Sequence, residues 1–274
     1  MRELLRPPAD LRLDDIDTSS TPGFDGDKKA GEGALADSAE RLSELQERLH
    51  AASTAGSTQR VLLVIQAMDT AGKGGIVRHV VGAVDPQGVQ LAAFKTPTPE
   101  ELAHHFLWRV ERQLPAPGMI GVFDRSHYED VLIGRVRQLA PAGEIEQRYD
   151  DIVQFERRIV GSGIALVKVM LHISSDEQKA RLQERLDRPD KHWKYRPGDI
   201  DERMLWNDYQ RAYELAITRT DTDDAPWYVV PANRKWYARL AVQTLLLDAL
   251  ERIDPQWPVA VFDVDAEKKR LAAT

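Results

Sequence analysis

The sequence predicts a three-layer α/β/α sandwich built on a parallel five-stranded sheet. Five apolar runs of strand length alternate with helical patterns along the 274 residues, the order in which parallel strands and their covering helices follow one another. Most of the runs are continuously apolar, as strands covered on both faces are. Such a sheet binds its ligand at the carboxyl ends of its strands, so a functional site is expected in the loops that follow them.

Two elements precede the sheet. Residues 14–33 are polar and rich in Gly, Asp, Ser and Thr, which predicts an irregular arm. Leu42, Leu45 and Leu49 then recur at helical spacing, which predicts an amphipathic helix. We expect residues 1–55 to form an arm and a helix that pack on the core.

Strand and helix signals alternate in the rest of the chain. The strand candidates are VLLVIQ (61–66), VQLAAF (89–94), MIGVFD (119–124), IALVKVMLHI (164–173) and WYVVP (227–231). Thr98 and Glu101 predict a capping box with Pro99 at the first helical position, and Ser174 with Glu177 opens another helix. Apolar spacing predicts the remaining helices at residues 76–84, 132–139, 145–159 and about 233–252.

Composition narrows the class of protein. Apolar residues make up 42% and charged residues 30% of the chain, as in an ordinary soluble protein of one large or two small domains. The net charge of −7 argues against a general nucleic-acid or membrane-surface binder, whose footprint is basic. The absence of cysteine excludes disulfides, thiol catalysis and cysteine metal sites. With no apolar run of signal-peptide or membrane-spanning length, we expect a cytoplasmic protein that binds neither nucleic acid nor membranes.

The loop after the first strand resembles a phosphate-binding loop of the Walker A type, G-x-x-x-x-G-K-S/T. Gly72 and Lys73 are in place, but Ala67 replaces the first glycine and Gly74 replaces the hydroxyl residue. Main-chain N–H groups of this loop and of the following helix would point at an anion, and the alternative is a helix start that is merely glycine-rich. The predicted phosphate- or nucleotide-binding positions are Met68, Thr70, Ala71, Gly72, Gly74 and Gly75.

The missing hydroxyl raises the question of what binds a metal ion. Mg²⁺ prefers carboxylates, phosphate oxygens and water. Asp69 lies inside the loop, and Asp124 ends the third strand candidate, where P-loop enzymes carry a second metal-contacting Asp. Each could instead cap a neighbouring backbone, but their occurrence together at two strand ends favours a site for Mg²⁺, with Mn²⁺ as the alternative ion.

The turn FDRSHYED (123–130) adds further candidates. Arg125 follows the metal candidate and suits a bidentate contact with a phosphoryl oxygen. Ser126 and Glu129 have the spacing of a capping box, and the alternative for Glu129 is that it faces the nucleotide. His127 is expected to pack or hydrogen bond and not to act as a base.

Seven positive residues lie between Lys179 and Arg196. Arg181 and Arg185 are four positions apart and share a helix face. One interpretation is a mobile lid that closes cations over phosphates; the other is a solvated, salt-bridged helix.

Four segments, in the same order, resemble the type-2 polyphosphate kinase family. They are QAMDTAGKGG (66–75), FDRSHYEDVL (123–132), KHWKYRPGDIDERMLWNDYQRAYE (191–214) and TDTDDAPWYVVPANRKWYARL (220–240). The likeness covers most of the chain, and four ordered segments are far more specific than one. Ala67 and Gly74 depart from the general loop pattern but not from that of this family.

The resemblance implies a P-loop kinase fold with a helical lid, and phosphoryl transfer between inorganic polyphosphate and nucleotides. Residues 56–260 would form the kinase domain, with a lid insertion at about 176–216, and residues 261–274 a C-terminal tail. The residues implied in catalysis are Asp69, Lys73, Asp124, Arg125, Arg181 and Arg185, of which Asp69 and Asp124 are the metal-binding acids.

Glu129 bears on which nucleotides the protein would phosphorylate. It resembles the subgroup that phosphorylates both nucleoside mono- and diphosphates, because the diphosphate-only subgroup is expected to have Asn there. The expected partners are polyphosphate, AMP, ADP and ATP, with guanine nucleotides in addition, and family likeness implies a homo-oligomer, either a dimer or a tetramer.

Polyphosphate carries roughly one negative charge per phosphate, so it needs an extended cationic track. The candidates are Lys28, Lys29, Arg78, Lys95, Arg135 and Arg137, each of which is alternatively an ordinary surface charge. A base could stack on aromatic residues that otherwise belong to the core, namely Trp193, Tyr195, Trp206 and Tyr209.

Two other functions compete with this one. An ATP-dependent nucleotide or small-molecule kinase would share the loop and the lid but need no cationic track. A non-catalytic nucleotide- or polyphosphate-binding protein would bind without turnover, and we expect it to lack part of the set Asp69, Lys73, Asp124 and Arg125.

Overall fold

The computed structural model describes all 274 residues and contains one five-stranded, fully parallel sheet in the order β2-β3-β1-β4-β5. The strands are β1 (Arg60–Ala67), β2 (Val89–Ala93), β3 (Ile120–Asp124), β4 (Ile164–His172) and β5 (Trp227–Pro231). The predicted fold class and all five strands are confirmed. β1 is central, so the loop that follows it lies at the middle of the carboxyl edge.

Eleven α-helices surround or follow the sheet. They are α1 (Lys28–Thr54), α2 (Lys73–His79), α3 (Pro99–Leu102), α4 (Trp108–Glu111), α5 (Ile133–Val136), α6 (Ala142–Gly161), α7 (Ser175–Asp187), α8 (Gly198–Met204), α9 (Trp206–Thr220), α10 (Lys235–Ile253) and α11 (Val264–Ala272). No helix combines the length and the apolar character needed to cross a lipid bilayer.

Two apolar cores lie on opposite faces of the sheet. Val61, Leu63 and Ile65 of β1 point towards α1, α2 and α10, while Leu62 and Val64 point towards α6 and α9. Successive residues of a strand face opposite sides, so the continuously apolar β1 is buried on both faces, as its sequence predicted.

The first long helix begins earlier than predicted. Residues 28–33 were expected to be irregular, but α1 starts at Lys28, where the Asp27 side chain accepts a hydrogen bond from the N–H of Ala30. A Cβ on Gly31 would lie 2.3 Å from the Trp236 ring. The glycine that appeared to break the helix therefore allows α1 to pack closely on α10, and this packing outweighs low helix propensity.

Two other helices end earlier than their apolar spacing predicted. α2 stops at His79 and is followed by a 3₁₀ turn at Val81–Ala83, because Gly82 and Pro86 interrupt the pattern. Leu139 lies outside α5 and is 67% exposed. The capping box at Thr98 and the cap at Ser174 both form as predicted.

Candidate active site

The loop between β1 and α2 has the backbone of an anion-binding turn. Thr70 and Gly72 have positive φ angles of 65° and 120°, and α2 begins at Lys73 directly after them. A Cβ at Gly74 would meet no atom within 4 Å, so the hydroxyl residue of the general pattern is not excluded by packing. The loop presents its backbone to the carboxyl edge of the sheet, where phosphate oxygens are expected.

Lys73 lies among charged groups of both signs. Its Nζ donates to the carbonyl of Ala67 at 3.5 Å. Burial lowers the pKa of Lys73 and Arg125 lowers it further, against the opposing influence of three carboxylates, those of Asp124, Asp69 and Glu129. The loop and the turn after β3 are thus brought together, with three acids beside two cations.

Asp124 and Asp69 fit a divalent ion. Asp124 pairs with Ile65 across β3 and β1, and its Oδ1 is buried without a hydrogen-bond partner. The Asp69 side chain is 34% exposed. No group of three or more His, Cys, Asp or Glu is placed to hold a metal ion, so any ion at Asp69 and Asp124 would need further ligands from phosphate oxygens and water.

Arg125 is held in a strained backbone conformation. Its φ is 65°, unusual for a residue other than Gly, Asn or Asp, and its N–H donates to the carbonyl of Ile65 at 3.1 Å. The guanidinium is 44% exposed and lies 3.6 Å from a Glu129 carboxylate oxygen. Strain of this kind costs of order 1–3 kcal/mol and concentrates at functional sites.

Ser126 caps the 3₁₀ turn at His127–Asp130, but the expected capping box with Glu129 does not form. Ser126 Oγ accepts from the N–H of Tyr128 at 3.2 Å. The Glu129 carboxylate turns towards Arg125 and accepts from the Gln66 amide at 3.0 Å when the nitrogen of that amide is assigned to the side of Glu129. Burial raises the pKa of Glu129, although Arg125 and Lys73 oppose that rise. Glu129 therefore faces the charged cluster, and the alternative that it faces the nucleotide stays a prediction.

Arg181 and Arg185, one turn apart in α7, have different surroundings. Arg181 is 6% exposed, and its Nε donates to Glu177 at 2.6 Å. Its other N–H groups donate to main-chain carbonyls at 2.7–3.0 Å, those of Thr70, Ala71, Ala232 and Asn233. Arg181 is therefore buried behind the phosphate loop, and its role as a lid cation stays a prediction.

Arg185 joins the loop to the segment after α7. Its Nη1 lies 3.3 Å from Asp69 Oδ2 and 3.4 Å from Asp199 Oδ2, and donates to the carbonyl of Lys194 at 3.0 Å. Sequence reasoning missed Asp199, which stands at the second residue of α8 in the segment PGDIDER. The only sequence signal that could have indicated Asp199 was the presence of a further acidic residue in the segment that follows the predicted lid arginines.

A buried charge network beneath the 123–130 turn was also missed. Lys168 of β4 is fully buried, and its Nζ donates to Glu156 Oε2 at 2.6 Å, to Tyr128 Oη at 3.1 Å and to the carbonyl of Thr220 at 2.8 Å. Tyr128 and His127 both contact the other carboxylate oxygen of Glu156, at 2.7 and 3.2 Å. His127 is thus a packing residue, as expected. A lysine in the middle of an apolar strand was the available signal.

The candidate track residues divide into two sets. Lys28, Arg135 and Arg137 form ion pairs with acids of this chain, whereas Lys29, Arg78 and Lys95 have no ion pair within 4 Å. Of the aromatic candidates, Trp193 is the most exposed, at 78%, and Tyr209 donates to Glu202.

The central strand of the parallel sheet is followed by a lysine-bearing phosphate loop, and carboxylates lie at the ends of this strand and its neighbour. These features together define a P-loop phosphotransferase. Comparisons with known proteins identify the family. A sequence model described as Polyphosphate kinase 2 matches residues 25–258, and the chain belongs to that family.

The similar proteins include two relatives with assigned names and a solved structure. The AMP/ADP-polyphosphate phosphotransferase of Meiothermus ruber is 46% identical, over 93% of this chain and 94% of its own. The ADP-polyphosphate phosphotransferase of Rhodopseudomonas palustris is 43% identical, over 80% and 78%. The crystal structure of Polyphosphate Kinase 2 from Arthrobacter aurescens TC1 superimposes with a TM-score of 0.97 at 57% identity, covering 100% of this chain and 96% of that one.

Proposed function

We propose that this chain is a Mg²⁺-dependent polyphosphate:nucleotide phosphotransferase that accepts both AMP and ADP. Phosphoryl transfer between polyphosphate and nucleotides is the activity of the family to which it belongs. The observation that carries the proposal is the meeting of Lys73, Asp69, Asp124 and Arg125 at one edge of the sheet, since a non-catalytic binding protein was expected to lack part of this set.

The chain's own residues bind and orient the transferred group. The loop backbone and Lys73 hold phosphate oxygens, and Arg125 contacts the transferred phosphoryl from the carboxyl end of the neighbouring strand β3. Arg185, held by Asp199 and the Lys194 carbonyl, supplies a further cation from the α7–α8 segment. Arg181 keeps the loop in its strained shape. A nucleotide phosphate oxygen then attacks the terminal phosphorus of polyphosphate in line. The bond from that phosphorus to the bridging oxygen breaks, and the leaving group is a polyphosphate chain one phosphate shorter, which keeps that oxygen.

A magnesium ion would be held by Asp69 and Asp124. When bound, it neutralises the charge that develops on the transferred phosphoryl group. The orphaned Asp124 Oδ1 supports this assignment, because a buried carboxylate oxygen without a partner is costly unless a ligand satisfies it. Mn²⁺ would suit the same oxygen ligands.

Glu129 supports the acceptance of nucleoside monophosphates. Its carboxylate faces Arg125 inside the charged cluster, and the similar Meiothermus ruber protein is an AMP/ADP-polyphosphate phosphotransferase. We also propose that guanine nucleotides are accepted. The kinase domain would comprise residues 56–260, with a lid within residues 176–216, and the protein would form a homo-oligomer.

Polyphosphate would approach beside α2, where Arg78 and Arg239 carry no ion pair within 4 Å. The Arg239 guanidinium lies 3.9 Å from the position of a Cβ on Gly75, at the first turn of α2. Polyphosphate binding should therefore weaken steeply as salt rises.

The test incubates the protein with long-chain polyphosphate, Mg²⁺ and either AMP or ADP, and separates the nucleotides by chromatography. ADP and then ATP formed from AMP only when polyphosphate is present would support the proposal. ATP formed from ADP alone would remove AMP from it. Transfer from ATP to AMP without any use of polyphosphate would replace it with an ordinary nucleotide kinase.

A further inference from the structure

The carbonyl groups of the phosphate loop face helix α7. Gln178 lies on α7, three positions before Arg181, and its Nε2 donates to the carbonyl of Asp69 at 3.2 Å. Arg181 donates to the next two carbonyls, those of Thr70 and Ala71. Residues three apart on a helix share a face, so one face of α7 holds three successive carbonyls of the loop.

This orientation turns two main-chain N–H groups of the loop to the opposite side. In a planar trans peptide the carbonyl and the N–H of the next residue point in opposite directions, and the chain contains no cis peptide bond. The carbonyls of Asp69 and Ala71 face α7, so the N–H groups of Thr70 and Gly72 face away from it. Neither N–H donates to another main-chain group, which leaves both available to an anion.

The orientation of the Gln178 amide is fixed by Arg203 of α8. Gln178 is 2% exposed. Arg203 Nη1 donates to Gln178 Oε1 at 3.0 Å and to the carbonyl of Ser175 at 2.7 Å. A guanidinium has donors only, so it faces the oxygen of this amide and turns the nitrogen towards the carbonyl of Asp69.

We infer that Gln178 and Arg203 are positioning residues for phosphoryl transfer. They hold the peptide between Asp69 and Thr70 in the orientation in which the Thr70 N–H meets a phosphate oxygen. The same contact fixes the main chain from which the Asp69 carboxylate extends towards the proposed metal ion. The inference rests on the proposed function for the identity of the anion, which is a phosphate of polyphosphate or of the nucleotide.

Two separate links join α8 to Asp69. One runs from Asp199 through Arg185 to the Asp69 carboxylate, and a metal ion or a phosphate bound to these side chains would compete with that link. The other runs from Arg203 through Gln178 to the Asp69 carbonyl. It uses no group that binds substrate, so it persists when the site is occupied.

The test measures the binding of inorganic tripolyphosphate to the full chain by isothermal titration calorimetry, without nucleotide or metal. Gln178→Glu still accepts from Arg203 but has no donor for the Asp69 carbonyl, and Gln178→Met removes the donor without adding a charge. Each should raise the dissociation constant at least ~10-fold, the scale of one hydrogen bond to a charged group. Gln183→Glu, an equal charge change at an exposed position of α7, should leave it unchanged.

Variants at Arg203 separate positioning from a structural role. Arg203→Met frees the Gln178 amide to turn and should weaken binding, whereas Arg203→Lys keeps a donor at the amide oxygen and should restore it. A lower thermal midpoint in the Gln178 variants with an unchanged dissociation constant would mean a structural role only and overturn the inference. A wild type that binds no tripolyphosphate would also overturn it.

The same proteins distinguish this inference from the proposed function. Tripolyphosphate binding that depends on Gln178, without phosphoryl transfer from polyphosphate to a nucleotide, would support the positioning role and remove the proposed function. Phosphoryl transfer at wild-type kcat/KM by both Gln178 variants would do the reverse.

Discussion

The Lys168–Glu156 pair offers the sharpest test of how the fold supports the site. Lys168→Met removes an ammonium with three hydrogen bonds and leaves the Glu156 carboxylate 1% exposed without its charged partner. Burial raises the pKa of Glu156, but Lys168 and His127 outweigh it and lower the pKa below its usual range. Breaking a buried pair on one side costs about 3–5 kcal/mol.

The assay is urea-induced unfolding at neutral pH, read by circular dichroism. Lys168→Met should lose about 3–5 kcal/mol of unfolding free energy, whereas Lys168→Met combined with Glu156→Gln should lose less than Lys168→Met alone, because the buried charge is gone. Lys179→Met, at an exposed lysine of α7 without an ion pair, should stay within about 0.5 kcal/mol of the wild type. A loss below about 1 kcal/mol for Lys168→Met, or a double variant that loses as much unfolding free energy as Lys168→Met alone, would refute this assignment.

Three further predictions concern the site itself. Arg181→Ala should lower the midpoint of thermal unfolding, since four loop and strand-end carbonyls lose their donor. Arg185→Ala should lower kcat and leave that midpoint nearly unchanged. Equal midpoints for the two variants would contradict this. Asp124→Ala should reduce kcat by at least ~10²-fold with an unchanged circular dichroism spectrum, and near-normal turnover would remove Asp124 from the metal site. Burial raises the pKa of Glu129 above 4.5, so this carboxyl lowers the stability of the fold as pH rises through its folded pKa. Glu129→Gln should therefore unfold at a higher temperature than the wild type near pH 8, and at the same temperature below about pH 4. A higher unfolding temperature at every pH would count against this assignment.

The sequence was sufficient for the sheet and for the loop at its centre. Continuously apolar runs of strand length indicate strands buried on both faces, and the glycine-lysine pair after the first of them predicted where the loop before α2 lies. Local chemistry predicted caps equally well where one side chain and one nearby N–H decide the outcome, as at Thr98 and Ser174.

The errors came from contacts between residues far apart in sequence. Gly31 is helical because Trp236, about 200 positions away, requires close approach. Glu129 has the spacing of a cap, but an ion pair with Arg125 and a hydrogen bond from the reassigned Gln66 amide orient its carboxylate into the site. Arg181 and Arg185 share a helix face, yet only the position of the loop carbonyls decides that one is buried behind the loop. No local pattern encodes these choices.

The central claim is that polyphosphate donates a phosphoryl group to a nucleotide at this site. The most direct measurement supplies ³²P-labelled polyphosphate and unlabelled AMP, without ATP, and follows the label in a single turnover. Label should appear in ADP with the wild type, and Asp124→Ala should label ADP at least ~10²-fold more slowly. Label released only as inorganic phosphate, or equal labelling of ADP by both proteins, would contradict it.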